Sequence, residues 1–180
     1  MIAQIRLRKI VTDSEIYNLY TMMNDKDQYL YSVRMQHNSE AAFAQWLHDR
    51  LNMDFHDFDL VYLESVECPV GFVYNYDFDL KNGHCKIVVY IKEEYRHTGI
   101  GAYSALAFVK NLFRDYPLRK IYSTVYSYNS QSIENHKRVG FDVEGVFKEY
   151  RFFKGTFYDM MYLSIKREVF LKRMEEWACL

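Results

Sequence analysis

The densest chemistry in the chain lies in the stretch Arg96-His97-Thr98-Gly99-Ile100-Gly101-Ala102. It falls where an apolar, strand-like run over residues 86–91 ends and a long amphipathic pattern begins. The first N–H groups of a helix have no partner within the helix and carry a partial positive charge. Glycine lets such a backbone come close to a ligand. Arg96 adds a planar fork of donors matched to phosphate oxygens. Together these features suit a diphosphate. The same spacing also suits an ordinary tight turn with two glycines.

Two better-known glycine loops fit less well. A dinucleotide fingerprint needs a third glycine where Ser104 stands, and a P-loop needs Lys followed by Ser or Thr after its last glycine. A nicotinamide-dependent oxidoreductase is therefore the weakest of the readings. A second constellation is Asn129 and Ser132, opening a short helical pattern that stops at Gly140-Phe141. His37, His48, His56 and His97 lack a ligand spacing, and Cys68, Cys85 and Cys179 form no CxxC, so no metal site is expected. Asp54, Asp57 and Asp59 make a mildly acidic cluster of the kind that is usually a solvated loop.

The elements that must position these residues follow from periodicity. Residues 4–11 alternate apolar and charged, as a first strand does. Thr12 with Glu15 forms a capping box, and Ile16, Leu19, Tyr20 and Met23 then recur at helical spacing. Residues 24–36 are polar and show no period. A second helix starts near Ser39, with Phe43, Trp46, Leu47 and Leu51 on one face. Strands are expected over 58–65, 70–78 and 86–91, the last two joined by a two-residue turn at Asn82-Gly83. The last is nearly all apolar, as a strand covered on both faces is. A helix follows from about Ala102 to before Pro117, then a strand over 121–126, the helix from Asn129 to Val139, and a hairpin around Lys154-Gly155. The tail is helical, with Phe170, Met174 and Trp177 aligned. This order makes an α/β fold with a mixed sheet, not a repeating βαβ wheel.

With these residues in place the sequence resembles the GNAT family of N-acetyltransferases. Their acetyl-CoA signature, Arg/Gln-x-x-Gly-x-Gly/Ala at a strand–helix junction, is matched by Arg96, Gly99 and Gly101. Their Asn-x-x-Ser motif, followed by a helix and Gly-Phe, is matched by Asn129, Ser132, Gly140 and Phe141. The stretch from Gly140 through Asp159 to Tyr162-Leu163 is similar to the branch holding ribosomal-protein and spermidine N-acetyltransferases. The resemblance implies a three-layer fold whose central, mostly antiparallel mixed sheet of about seven strands is flanked by helices. It implies a single domain over residues 1–180 that moves an acetyl group from acetyl-CoA directly to a primary amine. That amine would belong to a polyamine, another small metabolite, an antibiotic or a protein N-terminus.

The resemblance also assigns roles. The backbone of Val89, Tyr90 and Ile91 would pair with the pantetheine arm and polarise the thioester carbonyl. Residues 96–102 would hold the diphosphate, with Asn129 and Ser132 on the other side of the cofactor. A Tyr that serves as general acid in the family is replaced here by His136, which becomes the candidate proton donor. A Glu found on the pantetheine strand of some polyamine enzymes is replaced by Lys86, which leaves Asp77, Asp79, His84 and Tyr90 as candidate bases. These two departures keep a non-catalytic acyl-CoA-binding module open as the alternative.

Composition sets outer bounds. The chain has 180 residues, with 23 Lys and Arg against 24 Asp and Glu, a balance that argues against a nucleic-acid or polybasic membrane-surface protein. With seven glycines and two prolines it is not linker-rich or collagenous. Its 17 Tyr and 13 Phe suit a large core, and a homodimer interface is a further use for them. Residues 1–9 lack the apolar region of a leader peptide, and the cysteines read as free thiols, so a cytoplasmic location is expected.

Overall fold

The computed structural model describes residues 5–32 and 37–178. Residues 1–4, the Trp177 side chain and Cys179 lie outside the described residues.

Strand β1 (Ile5–Arg8) leads into helix α1 (Asp13–Met23). The capping box forms as the sequence requires: Thr12 Oγ1 accepts the Glu15 N–H, and the Glu15 carboxylate accepts the Thr12 N–H. A 3-10 turn (Lys26–Leu30) fills part of the stretch without a period, and α2 (Glu40–Leu51) follows, capped by Ser39. Strands β2 (Phe58–Leu63), β3 (Gly71–Asp79) and β4 (His84–Ile91) form an antiparallel meander. Helix α3 (Ile100–Asp115), β5 (Lys120–Tyr126), α4 (Ser130–Val139), β6 (Asp142–Phe153), β7 (Thr156–Lys166) and α5 (Arg167–Ala178) complete the chain. Between β3 and β4 the turn spans residues 80–83 and is wider than the two-residue turn expected. The Asp79 carboxylate accepts the Asn82 N–H at 2.8 Å and so closes the wider loop.

The seven strands form one sheet in the order β1-β2-β3-β4-β5-β7-β6. This is the mixed, mostly antiparallel sheet expected, with helices on both faces. Alternate residues of the central strands enter different cores. Leu60, Phe72 and Tyr90 pack with Leu19, Met23, Phe43 and Leu47 of α1 and α2. Val61, Val73 and Ile87 pack with Phe108 and Leu112 of α3 and Phe170 of α5. Each such side chain contributes about 1.5–3 kcal/mol on burial. Among the described residues no helix is long and apolar enough to cross a membrane.

One irregularity positions the site. β4 and β5 are parallel and pair only at His84–Lys120, Cys85–Ile121 and Lys86–Tyr122. Beyond that point the two strands part, and residues 87–91 and 123–126 face an open fork.

Candidate active site

The fork opens into a cleft of about 440 Å³. One wall is β4 (Ile87, Val88, Val89, Ile91), the other β5 (Ser123, Thr124, Val125). The start of α3 and residues of α4 close one side, and residues 29–32 cross the other.

Backbone direction on β4 follows from one bond. Lys92 donates its N–H to Val70 O at 2.9 Å, and hydrogen-bonding direction alternates along an antiparallel strand. The polar groups of Val88 and Tyr90 therefore face β3, and those of Ile87, Val89 and Ile91 face the fork. The expectation for Tyr90 is thus corrected: its backbone serves the β3 ladder opposite Phe72. Its ring lies flat on Phe72, 5.0 Å between centroids, and its hydroxyl donates to Asp25 Oδ2 at 2.6 Å. Burial and this hydrogen bond push the phenol far above its ordinary value, which removes Tyr90 as a base as well. Ile91 faces the fork, but its carbonyl already accepts Arg96 Nε at 2.8 Å. Val89 keeps its open edge.

The glycine loop forms a helix start as expected. Gly99 is the N-cap with φ +87°, a left-handed conformation that other L-residues adopt at a cost, and no side chain caps the helix. The ladder of α3 begins with Tyr103 N–H to Gly99 O, which leaves the first-turn N–H groups free of helical partners. Arg96, His97, Gly99, Gly101 and Ala102 line the cleft. Thr98 does not: its hydroxyl donates to Tyr95 O at 2.6 Å. Ile100 also turns away and is buried in the core beside α3.

Arg96 is held differently from the expected free phosphate ligand. Its Nη1 donates to Asp27 Oδ2 at 2.7 Å and its Nε to Ile91 O, and both partners of the ion pair are largely buried. Only the buried Nη2 has no protein partner. The open donors beside the cleft are therefore the first-turn N–H groups of α3, while the guanidinium is largely engaged.

Asn129 caps α4, accepting the Ser132 N–H, while its amide donates to Leu30 O. Both Asn129 and Ser132 line the cleft.

His136 requires a correction. Its Nδ1 lies 2.7 Å from Ser132 O, which can only accept, so Nδ1 carries a proton. Burial lowers its pKa below the ordinary value, so the ring is neutral near pH 7. Nε2 then accepts from Ser123 Oγ at 2.9 Å. A neutral imidazole whose one N–H is spent on a carbonyl has no proton to give a departing thiolate. His136 orients Ser123 instead.

The other candidate bases are also engaged. Asp77 holds Lys86 at 2.8 Å, and Asp79 closes its turn and lies 3.9 Å from His84. Sequence reasoning missed Ser123, Thr124 and Tyr31. The signal for Ser123 and Thr124 was a pair of hydroxyl residues in the middle of a central strand; Ser123 is buried. Tyr31 carried none, because it lies in a stretch without a period.

An open parallel fork beneath a bare helix N-terminus fits the two halves of acetyl-CoA: backbone amide partners for a pantetheine arm and N–H groups for a diphosphate. That is the site of an acyl-CoA-dependent acyltransferase. The chain belongs to the GNAT acetyltransferase family: residues 9–162 match its Acetyltransferase (GNAT) domain. The SPbeta prophage-derived uncharacterized N-acetyltransferase YokL of Bacillus subtilis (strain 168) is 30% identical over 146 residues, 80% of this chain and 81% of its own length. The spermidine N-acetyltransferase from Vibrio cholerae, solved in complex with CoA and spermine, has a TM-score of 0.83 at 17% identity, covering 93% of this chain and 98% of that one. The spermidine/spermine N-acetyltransferase SpeG of the same organism, solved with manganese ions, gives 0.79 at 17% identity over 94% and 96%. At that identity the likeness is one of fold. The protein is an N-acetyltransferase that uses acetyl-CoA as cosubstrate.

Proposed function

We propose that the chain, as one domain over residues 1–180, acetylates the primary amine of a small molecule or of a protein N-terminus by direct transfer. The observation that carries this reading is the fork: the Val89 backbone is open toward it and the α3 N-terminus stands beside it. Acetyl-CoA supplies an activated thioester whose C–S bond breaks as the neutral amine forms its C–N bond. The chain's own part is binding and orientation. The Val89 N–H faces the fork and would donate to the acyl oxygen; a preorganised donor of this kind contributes about 3–4 kcal/mol. Gly99, Gly101 and Ala102 present backbone to the diphosphate, and Asn129 and Ser132 border the opposite wall. Ser123, held by His136, faces the fork. The exposed thiol of Cys68 and the buried thiol of Cys85 support a cytoplasmic setting. Exposed Phe147, Tyr150, Phe152 and Phe157 on the β6–β7 hairpin support a homodimer, which light scattering measures.

The test is thermal unfolding with acetyl-CoA, with NADH as control, followed by thiol release over an amine panel. At one hundred times its dissociation constant the ligand adds about 2.7 kcal/mol, a rise of about 5–10 °C for a chain of this size. A rise with acetyl-CoA alone and amine-dependent thiol release are expected. A folded protein that shows neither refutes the reading.

A further inference from the structure

At the closed end of the fork, on the α1–α2 face of the sheet, five side chains gather. Tyr76 stands opposite Lys86, Lys86 opposite Tyr122, and Thr124 opposite Tyr162. Directly opposed residues share a face of a sheet, as do residues two apart. Lys86 Nζ lies 5.7 Å from the Tyr76 ring centre, 5.5 Å from that of Tyr162 and 2.8 Å from Asp77 Oδ2. The Tyr122 ring packs 5.2 Å from Tyr162. Asp77 reaches this point from a bulge in β3 and has φ +48°, a strained value for Asp. Thr124 shares this face and lines the cleft.

Aromatic faces with a carboxylate form a receptor for a primary ammonium. Here the chain's own ammonium fills it. Burial lowers the proton affinity of Lys86, but Asp77 and Tyr162 more than offset that, so it stays charged. Arg50 adds positive charge on the same side: its guanidinium lies 4.6 Å from the Tyr74 ring centre, and the Asp77 carboxylate acts on it as well. Lys86 lies three residues from Val89, about 10 Å along the strand. A second ammonium on an amine held at Val89 falls within reach of this point.

We propose that Lys86 occupies the subsite where the second ammonium of a polyamine would sit, so that the acceptor is a monoamine whose remaining body is uncharged or anionic. This deepens the acetyltransferase reading and rests on it. The test compares spermidine with phenylethylamine by thiol release, using the full chain. For the unmodified protein kcat/KM for phenylethylamine exceeds that for spermidine. Lys86→Ala and Lys86→Met shift that ratio toward spermidine by about tenfold, and adding Asp77→Asn cancels the shift. Calorimetry, which needs no turnover, shows spermidine binding to the Lys86 variants and not to the unmodified protein. Variants are compared only where circular dichroism and thermal unfolding report a native fold. Equal use of spermidine by the unmodified protein, or Lys86 variants that neither shift the ratio nor bind spermidine, overturn the proposal. Absence of turnover with every amine, alongside the calorimetric difference, overturns the acetyltransferase reading and leaves the subsite standing.

Discussion

Arg96 Nη1 and Asp27 Oδ2 lie 2.7 Å apart, although 69 residues separate them in the chain. The pair ties the turn after α1 to the loop before α3. Lys26–Glu93 at 2.9 Å fastens the same two segments, and Tyr90–Asp25 at 2.6 Å ties the turn to β4. On the other side Asn129 and Tyr128 donate to the carbonyls of Leu30 and Tyr29. Residues 25–30 thus strap the fork from β4 to α4 and fix the outline of the cleft.

Removing one partner of a largely buried ion pair leaves an uncompensated charge. Asp27→Asn is expected to lower stability by about 2–3 kcal/mol, below the range for fully buried pairs because Arg96 keeps 19% of its side-chain surface exposed. Arg96→Ala with Asp27→Ala costs less than the sum of the single changes. Urea unfolding of the double-mutant cycle checks both statements.

Glu15 links helix capping to acid stability. Its burial favours the neutral form, yet bonds from Tyr62 and from the N–H groups of Val11 and Thr12 hold its pKa below the ordinary value. A depressed carboxylate stabilises fully above its unfolded pKa, about 4.3, and the contribution is lost as pH falls through the folded value. Glu15→Gln is therefore less stable than the parent at pH 7, and the difference shrinks below about pH 4. Unfolding free energies from pH 7 to pH 3 measure it.

His136 gives two readouts. A general acid contributes about 10²–10⁴-fold, whereas His136→Gln is expected to lower kcat by less than tenfold. Because burial holds the folded pKa down, the stabilisation is complete above about pH 6.5 and declines as pH falls toward the folded value. The glutamine variant loses that dependence. A hundredfold fall in kcat would restore the proton-donor role.

At the start of α3 two glycines separate fold from binding. Gly99→Ala places a Cβ on a residue with φ +87° and costs about 1–2 kcal/mol of stability. A Cβ on Gly101 meets only Ile91 Cγ1 at an ordinary 3.5 Å. Gly101→Val accordingly keeps stability within about 1 kcal/mol, while its methyls enter the cleft and abolish the acetyl-CoA-induced rise in Tm. Thermal unfolding with and without acetyl-CoA distinguishes the two.

Much of this protein was legible locally. The Thr12–Glu15 box, the Ser39 and Asn129 caps, the glycine-led start of α3 and the order of strands and helices each depend on residues within a few positions of one another. Backbone geometry and hydrophobic period act over that range, so the sequence alone determined the fold class and the location of the cleft's glycine wall. What only the tertiary structure decided is which polar groups the chain spends on itself. Tyr90 sits on the anticipated strand, but the alternation of β4 hydrogen bonds turns its backbone to β3. Arg96 sits in the anticipated loop, but Asp27 and the Ile91 carbonyl hold its guanidinium. His136 sits on the anticipated helix face, but Ser132 and Ser123 fix its tautomer. Each of these partnerships depends on strand register and on burial between distant segments, and burial makes an unpaired polar group costly enough to select one arrangement.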